Sequence, residues 1–212
     1  MNRCMVIDSE YCSMGRWISV IVGVATNMKL YEGKDLVALA KEKWLTEEYL
    51  KDFDERLGNM SVEQAKNNEE LKKVHRALSK AILKAVEIGP CIIHERAAAS
   101  ILQGKADILK VLLYNTKIEH KIPRAITDKS YDLKNLSKKE VIAFIEKEDR
   151  KRSNYHNALV KTKWGRKETY DICLDSDVLS REKCAEILIE ALQEVSLDLE
   201  KCQETINKAL LG

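Results

Sequence analysis

The side chains best placed to do chemistry lie in residues 7–19, Ile-Asp-Ser-Glu-Tyr-Cys-Ser-Met-Gly-Arg-Trp-Ile-Ser. A short apolar run, Cys4 to Ile7, leads into a turn of small and polar residues. Gly15-Arg16 leaves the turn, and an apolar helical pattern follows from Trp17 to Ala25. Strand, tight turn, cation and helix in that order make an anion site, because turn amides and the positive end of the helix dipole converge on one point. The common phosphate loop reads G-x-x-x-x-G-K-[ST]. Here Cys12 and Met14 stand where glycines are expected, and Arg16 is the only cation of the turn. Residues other than glycine rarely take the positive φ that such a turn needs. Either the turn has another shape, or it binds phosphate more weakly.

Arg16 opens a helix, where a cation opposes the dipole unless an anion lies beside it. Its planar fork suits bidentate contacts, unlike the usual lysine. A solvated surface arginine is the plain alternative. Ser13 and the amides of Cys12, Met14, Gly15 and Trp17 are candidate phosphate donors. Arg96 follows an expected strand end, where ligands bind in open parallel sheets; a salt bridge to Glu95 or another nearby acid is its alternative. Asp8, Asp175 and Asp177 end strands and read as turn acids, although Asp8 could approach a magnesium ion. His94 reads as structural.

Those residues need a scaffold. Short apolar segments at Cys4–Asp8, Cys91–His94, Ile108–Tyr114 and Tyr170–Asp175, with a weaker one near Met28–Tyr31, alternate with helical patterns. That alternation implies a parallel sheet covered by helices. Helices are expected over Arg16–Ala25 and Lys34–Lys43, from Thr46, from Ser61 to about Glu87 as one long element, from Ser137 to about Leu159, and from Ser180 through Val195. Ser61 with Gln64 and Ser137 with Glu140 form capping boxes.

The chain of 212 residues suits one domain, 1–212. A net charge of +2 argues against a broad nucleic-acid footprint. No apolar run reaches membrane-spanning length, and no secretory pattern opens the sequence, so a cytoplasmic protein is expected. Six cysteines, none in a C-x-x-C pair, read as free thiols of a reducing compartment. No residue is singled out as a metal ligand, and oligomeric state is left open.

Four blocks in order resemble the cytidylate-kinase-like family, a branch of the phosphate-loop nucleoside monophosphate kinases. Asp8-Ser9-Glu10-Tyr11-Cys12-Ser13-Met14-Gly15-Arg16-Trp17-Ile18-Ser19 resembles S-R-E-Y-G-S-G-G-R-x-I-A. Tyr31 to Leu36 resembles Y-D-x-x-L, with Glu32 for the aspartate. Glu95-Arg96-Ala97-Ala98-Ala99-Ser100-Ile101-Leu102 resembles G-R-G/C-A-x-x-I-L, and Asp149-Arg150-Lys151-Arg152 resembles a D-K-x-R lid motif. Tyr155, Lys163-Trp164-Gly165 and Tyr170-Asp171 follow in the family's order.

The resemblance implies a three-layer α/β phosphate-loop kinase fold with about five parallel strands and a helical lid near 117–165. It implies an ATP-dependent phosphotransferase acting, with Mg²⁺, on a nucleoside monophosphate or similar small phosphate acceptor. Residues 12–17 would bind the donor, and Arg16, Arg124 and Arg152 would neutralise charge in transfer. Glu32, Arg96 and Asp149 would serve the acceptor. Lys121, Arg150 and Lys151 are further lid cations, since phosphoryl transfer needs several to close over the phosphates. The altered glycines favour a second reading, a nucleotide- or anion-binding module without catalysis and with a regulatory or interaction role.

Overall fold

The computed structural model describes residues 3–193. Val195 and Cys202 lie outside the described residues.

Five parallel strands form one sheet in the order β2-β3-β1-β4-β5. They are β1 (Cys4–Ser9), β2 (Lys29–Tyr31), β3 (Cys91–His94), β4 (Ile108–Tyr114) and β5 (Ile172–Asp175). β1 is central, with Val6 opposite Ile93 on one side and Lys110 on the other. Its six residues are all buried, as expected for a strand covered on both faces. The side chains alternate between two cores. Met5 and Ile7 pack with Ile18, Val22, Leu188 and Leu192, from α1 (Gly15–Thr26) and α9 (Arg181–Leu192). Cys4 and Val6 pack on the opposite face with Leu71, Leu78, Ile82 and Leu102. Those residues belong to α5 (Glu69–Ile88) and α6 (Ala98–Leu102). α2 (Gly33–Ala40), α3 (Glu47–Leu57) and α4 (Val62–Lys66) complete that layer. The expected three-layer α/β architecture is therefore present.

Two helices lie over the turn that follows β1. α7 (Ile118–Thr127) and α8 (Lys138–Leu159) enclose a third apolar cluster with Tyr11, Ala125, Leu133, Val141 and Ile145. α7 lies within the helical lid expected near 117–165, although the residue pattern gave it no separate helix. Its Pro123 sits inside the helix and has no N–H to give, yet Ile122 and Ala125 reach Tyr11's cluster and hold the segment in place. The long helix expected from Ser61 to Glu87 is instead α4 followed by α5. The break falls at Asn67–Asn68, where the Asn68 side chain accepts the Leu71 N–H at 2.8 Å and starts a new helix. Among the described residues no helix is long and apolar enough to cross a membrane.

Candidate functional site

The turn between β1 and α1 keeps the backbone shape that glycine would favour. Cys12 and Met14 both take φ of 63°, in the left-handed region where a Cβ is disfavoured. Met14 is the N-cap of α1 and makes no side-chain cap. Among the described residues, no protein acceptor meets the N–H of Cys12, Met14, Gly15, Arg16 or Trp17. A ring of free amides thus surrounds the positive end of α1, which is what an anion site requires.

Gly15 is fixed by a different contact. A Cβ there would fall 2.4 Å from the Ser9 Cβ and 2.5 Å from its Oγ. The Ser9 hydroxyl is itself tied to His94 Nε2 at 3.0 Å. Gly15→Ala should therefore lower stability by about 1–3 kcal/mol through overpacking. Ser9→Gly in the same chain should restore most of the loss, measured by urea unfolding. No rescue would show that α1 does not meet β1 this closely.

The side chains of the turn are placed unevenly. Ser13 is fully buried, and its hydroxyl donates to the Glu10 carbonyl at 2.8 Å and the Leu113 carbonyl at 3.0 Å. It braces the turn, and only its backbone faces the amide ring. Arg16 donates through Nε to Glu32 at 2.7 Å, and its side chain is 69% exposed. The anion beside the helix start is thus Glu32, and two expected site residues pair with each other. Trp17 lies beneath Arg181, 4.3 Å from guanidinium carbon to ring centre.

α7 and α8 hold the turn from above. The Tyr11 N–H donates to Asp149 at 2.5 Å, and the Tyr11 hydroxyl to Asp128 at 2.8 Å. Arg124 donates to the Cys12 carbonyl at 2.9 Å. Lys121, buried, reaches Glu10 at 3.0 Å and Asp149 at 3.3 Å. Burial raises the Asp149 pKa, and Lys121 opposes that rise. Asp149 therefore ties the turn to α7 and α8.

One α-helical turn further along α8, Arg152 leaves this contact and enters a cleft of about 520 Å³. Its Nε donates to Glu95 at 2.6 Å and its Nη1 to the Glu148 carbonyl at 3.0 Å. Nη2 has no partner among the described residues. Glu95 is held at a pKa of about 2. Burial alone would raise it, but Arg152, His94 and Arg96 together override that penalty. Arg96 grips Asp54 with both terminal nitrogens, at 2.8 and 2.7 Å, and its guanidinium lies 5.4 Å from the Tyr155 ring. Glu95, Arg96 and Ala97 all have positive φ, at 69°, 63° and 54°. Three successive left-handed residues without glycine mark strain concentrated at the cleft wall.

Of the other cations expected in a lid, Arg150 points away from the cleft, while Lys151 lines it but is held by acids. Arg150 donates to the Gly58 carbonyl at 3.2 Å, and Lys151 sits between Glu55 and Glu148. Asp175 accepts from Thr116 at 2.6 Å, and Asp177 from His120 and from Lys117. No group of three potential metal ligands occurs among the described residues. Sequence reasoning missed Asp54, Glu148 and His156. Asp54 looks like an ordinary solvated acid until Arg96, 42 positions away, is brought alongside, and Glu148 looks like half of a surface helical pair with Lys151 until the fold buries both.

The chain matches the family described as "Cytidylate kinase-like family" over residues 5–178. By sequence, no curated protein matches. A crystal structure of an uncharacterized protein from Eubacterium ventriosum is similar with a TM-score of 0.69 at 19% identity, covering 91% of this chain and 99% of the other. Shikimate kinase from Aquifex aeolicus gives a TM-score of 0.43 at 14% identity, covering 99% of both chains. The family match spans the amide ring, the strained 95–97 turn and Arg152 alike. With its central β1, its amide-lined turn and its covering helices, the chain belongs to the cytidylate kinase-like family.

Proposed function

We propose that the protein transfers a phosphoryl group from ATP to a small acceptor bound in the cleft beside Arg152. The observation that carries this reading is the ring of free amides at the start of α1. Cys12 and Met14 have accepted unfavourable backbone angles to keep it open, and it lies one turn of α8 from an arginine-walled cleft. Strain of this kind persists where surrounding contacts enforce it, commonly at functional sites.

In this reading the triphosphate lies on the amides of residues 12–17. A hollow lined by Met14, Arg124, Asp177 and Arg181 takes the rest of the nucleotide. Arg124, already on the Cys12 carbonyl, and Arg152 would neutralise charge in transfer. The Ser13 hydroxyl is turned inward, so Mg²⁺ would arrive on the phosphates themselves, which need few protein ligands. The family resemblance implies a nucleoside monophosphate as acceptor, with Arg96 near it. The second reading, a binding module without catalysis, is favoured by the Glu32 partner of Arg16, which leaves that arginine engaged before any ligand binds.

Thermal unfolding with ATP and Mg²⁺ tests the donor site. A ligand at 100 times its Kd adds about 2.7 kcal/mol, so a clear rise in Tm is expected. Replacing both Cys12 and Met14 by glycine should keep or enlarge that rise, since the backbone could then close on the phosphates without a Cβ at positive φ. No rise in either protein would refute the donor site. A rise without ATP consumption would leave the binding module.

A further inference from the structure

We propose that the acceptor is an alcohol, a hydroxyl-bearing small molecule without net negative charge such as a sugar or amino sugar, and that Asp8 takes the proton from its hydroxyl. This rests on the phosphoryl-transfer reading above and names the acceptor class for the same cleft.

The first argument is charge. At the exposed rim of the cleft, Lys34 and Lys51 balance Glu47 and Glu48. Deeper in, three cations face five carboxylates. Each of those cations is already paired: Arg96 with Asp54, Arg152 with Glu95, and Lys151 with Glu55 and Glu148. The fifth carboxylate is Asp8, which has no cation bonded to it. A phosphate dianion would find Arg96, Arg152 and Lys151 already engaged, and would have to displace acids that stay in the cleft. Like charges at such range in a desolvated site are strongly unfavourable. A neutral or cationic polyol meets no such barrier and finds carboxylates ready to accept its hydroxyl protons.

The second argument is the geometry around Asp8. It is 4% exposed, lies one residue before the end of β1 beside the donor turn, and faces the cleft. Tyr170 donates its hydroxyl to Oδ2 at 2.9 Å. His156 Nδ1 stands 3.8 Å from the same oxygen, buried and without a hydrogen-bond partner. His156 Nε2 is within 3.0 Å of the Thr162 hydroxyl. Burial lowers the His156 pKa to about 4, so the ring is neutral at physiological pH. Such an orphaned ring nitrogen beside a carboxylate suits a hydroxyl, which can donate to Asp8 while accepting from Nδ1 in the tautomer that carries its proton there. A fully ionised phosphate has no proton to give Asp8.

The groups facing Asp8 also set its basicity. Burial raises its pKa to about 7. The Tyr170 hydrogen bond lowers it, Glu95 raises it, and Arg152 lowers it. A base near the working pH is the efficient one. In the step, the acceptor oxygen bonds to the γ-phosphorus as its proton passes to Asp8. The bond from that phosphorus to the β,γ-bridging oxygen breaks, and ADP leaves with the electron pair. The products are a phosphate monoester and ADP.

The test uses the full chain with ATP and Mg²⁺ and follows ADP release. Three acceptors are supplied: water alone, glycerol at molar concentration as a generic alcohol, and a panel of CMP, UMP, AMP and GMP. Expected are basal hydrolysis, transfer to glycerol above it, and no transfer to the monophosphates. Asp8→Asn should lower hydrolysis and glycerol transfer by about 100-fold while the ATP-induced rise in Tm is kept. Wild-type rate should climb through about pH 7 as Asp8 loses its proton. Tyr170→Phe should move that climb to higher pH, a shift that a purely structural role would not give. Transfer to a monophosphate, or an Asp8→Asn rate within threefold of wild type, overturns the proposal and leaves the kinase reading intact. Failure of ATP to bind overturns both.

Discussion

Arg152→Ala should cut turnover by about 1,000-fold and change ATP binding little. The reason is the division of its bonds. Nε and Nη1 are anchored to Glu95 and the Glu148 carbonyl, so the guanidinium plane is fixed, while Nη2 is left for charge that appears as the phosphoryl group moves. A contact made mainly in the transition state is read in kcat rather than in binding, and arginines in this role are worth about 10³–10⁵. Removing Arg152 alone also takes from the half-buried Glu95 the cation bonded to it. Arg152→Ala combined with Glu95→Gln separates the effects: stability should recover and turnover should not. Arg152→Lys should behave like the alanine variant, since one ammonium cannot make two anchored bonds and present a third donor in the same plane. Turnover within tenfold of wild type in the paired variant would remove Arg152 from the transfer step.

The largest effect on stability is expected from Arg96→Met, at about 3–5 kcal/mol, because Asp54 would remain half-buried with no countercharge. The two partners are 42 positions apart and join α3 to the strained turn after β3. Urea unfolding of Arg96→Met, Asp54→Leu and the double variant gives the coupling. The double variant should recover most of the loss, since replacing both members of a buried pair is far milder than removing one. A single-variant loss below about 1 kcal/mol would mean that residues 95–97 are held left-handed by something other than this pair.

Much of this fold was legible in the sequence. β3 and β4 run over the residues expected, Cys91–His94 and Ile108–Tyr114, because strands buried on both faces announce themselves as continuous apolar runs between turn residues. The helix starts at Thr46, Ser61, Ser137 and Ser180 were legible for a local reason too: each hydroxyl accepts an N–H three residues on. The break at Asn68 is a local cap that was overlooked; the other failures came where a distant partner overrides local pattern. α7 forms despite Pro123 because Tyr11 lies against it. At the site, the positive φ of Cys12 and Met14 could be suspected from the resemblance, but whether the turn had changed shape could not. Arg16 and Glu32 were both noticed, yet only the fold shows them bonded to one another. Asp8 looked like an ordinary strand-end acid, and its importance rests on Tyr170 and His156, more than 140 residues away.

The central place of the first strand also has a meaning for synthesis on the ribosome. β1 leaves the tunnel before the other four strands, yet Met5 pairs beside Ile92 and Leu109. At about 5–20 residues per second, the nascent chain holds this apolar segment without its neighbours for on the order of ten seconds. α1 can shield one side meanwhile, since it follows at once and packs against the strand through Ile18 and Val22. The other side, with Cys4 and Val6, has no cover until α5 and β3 have emerged. Nascent chains stalled before residue 91 should therefore engage a chaperone through the β1 segment, and those stalled well beyond residue 114 should release it.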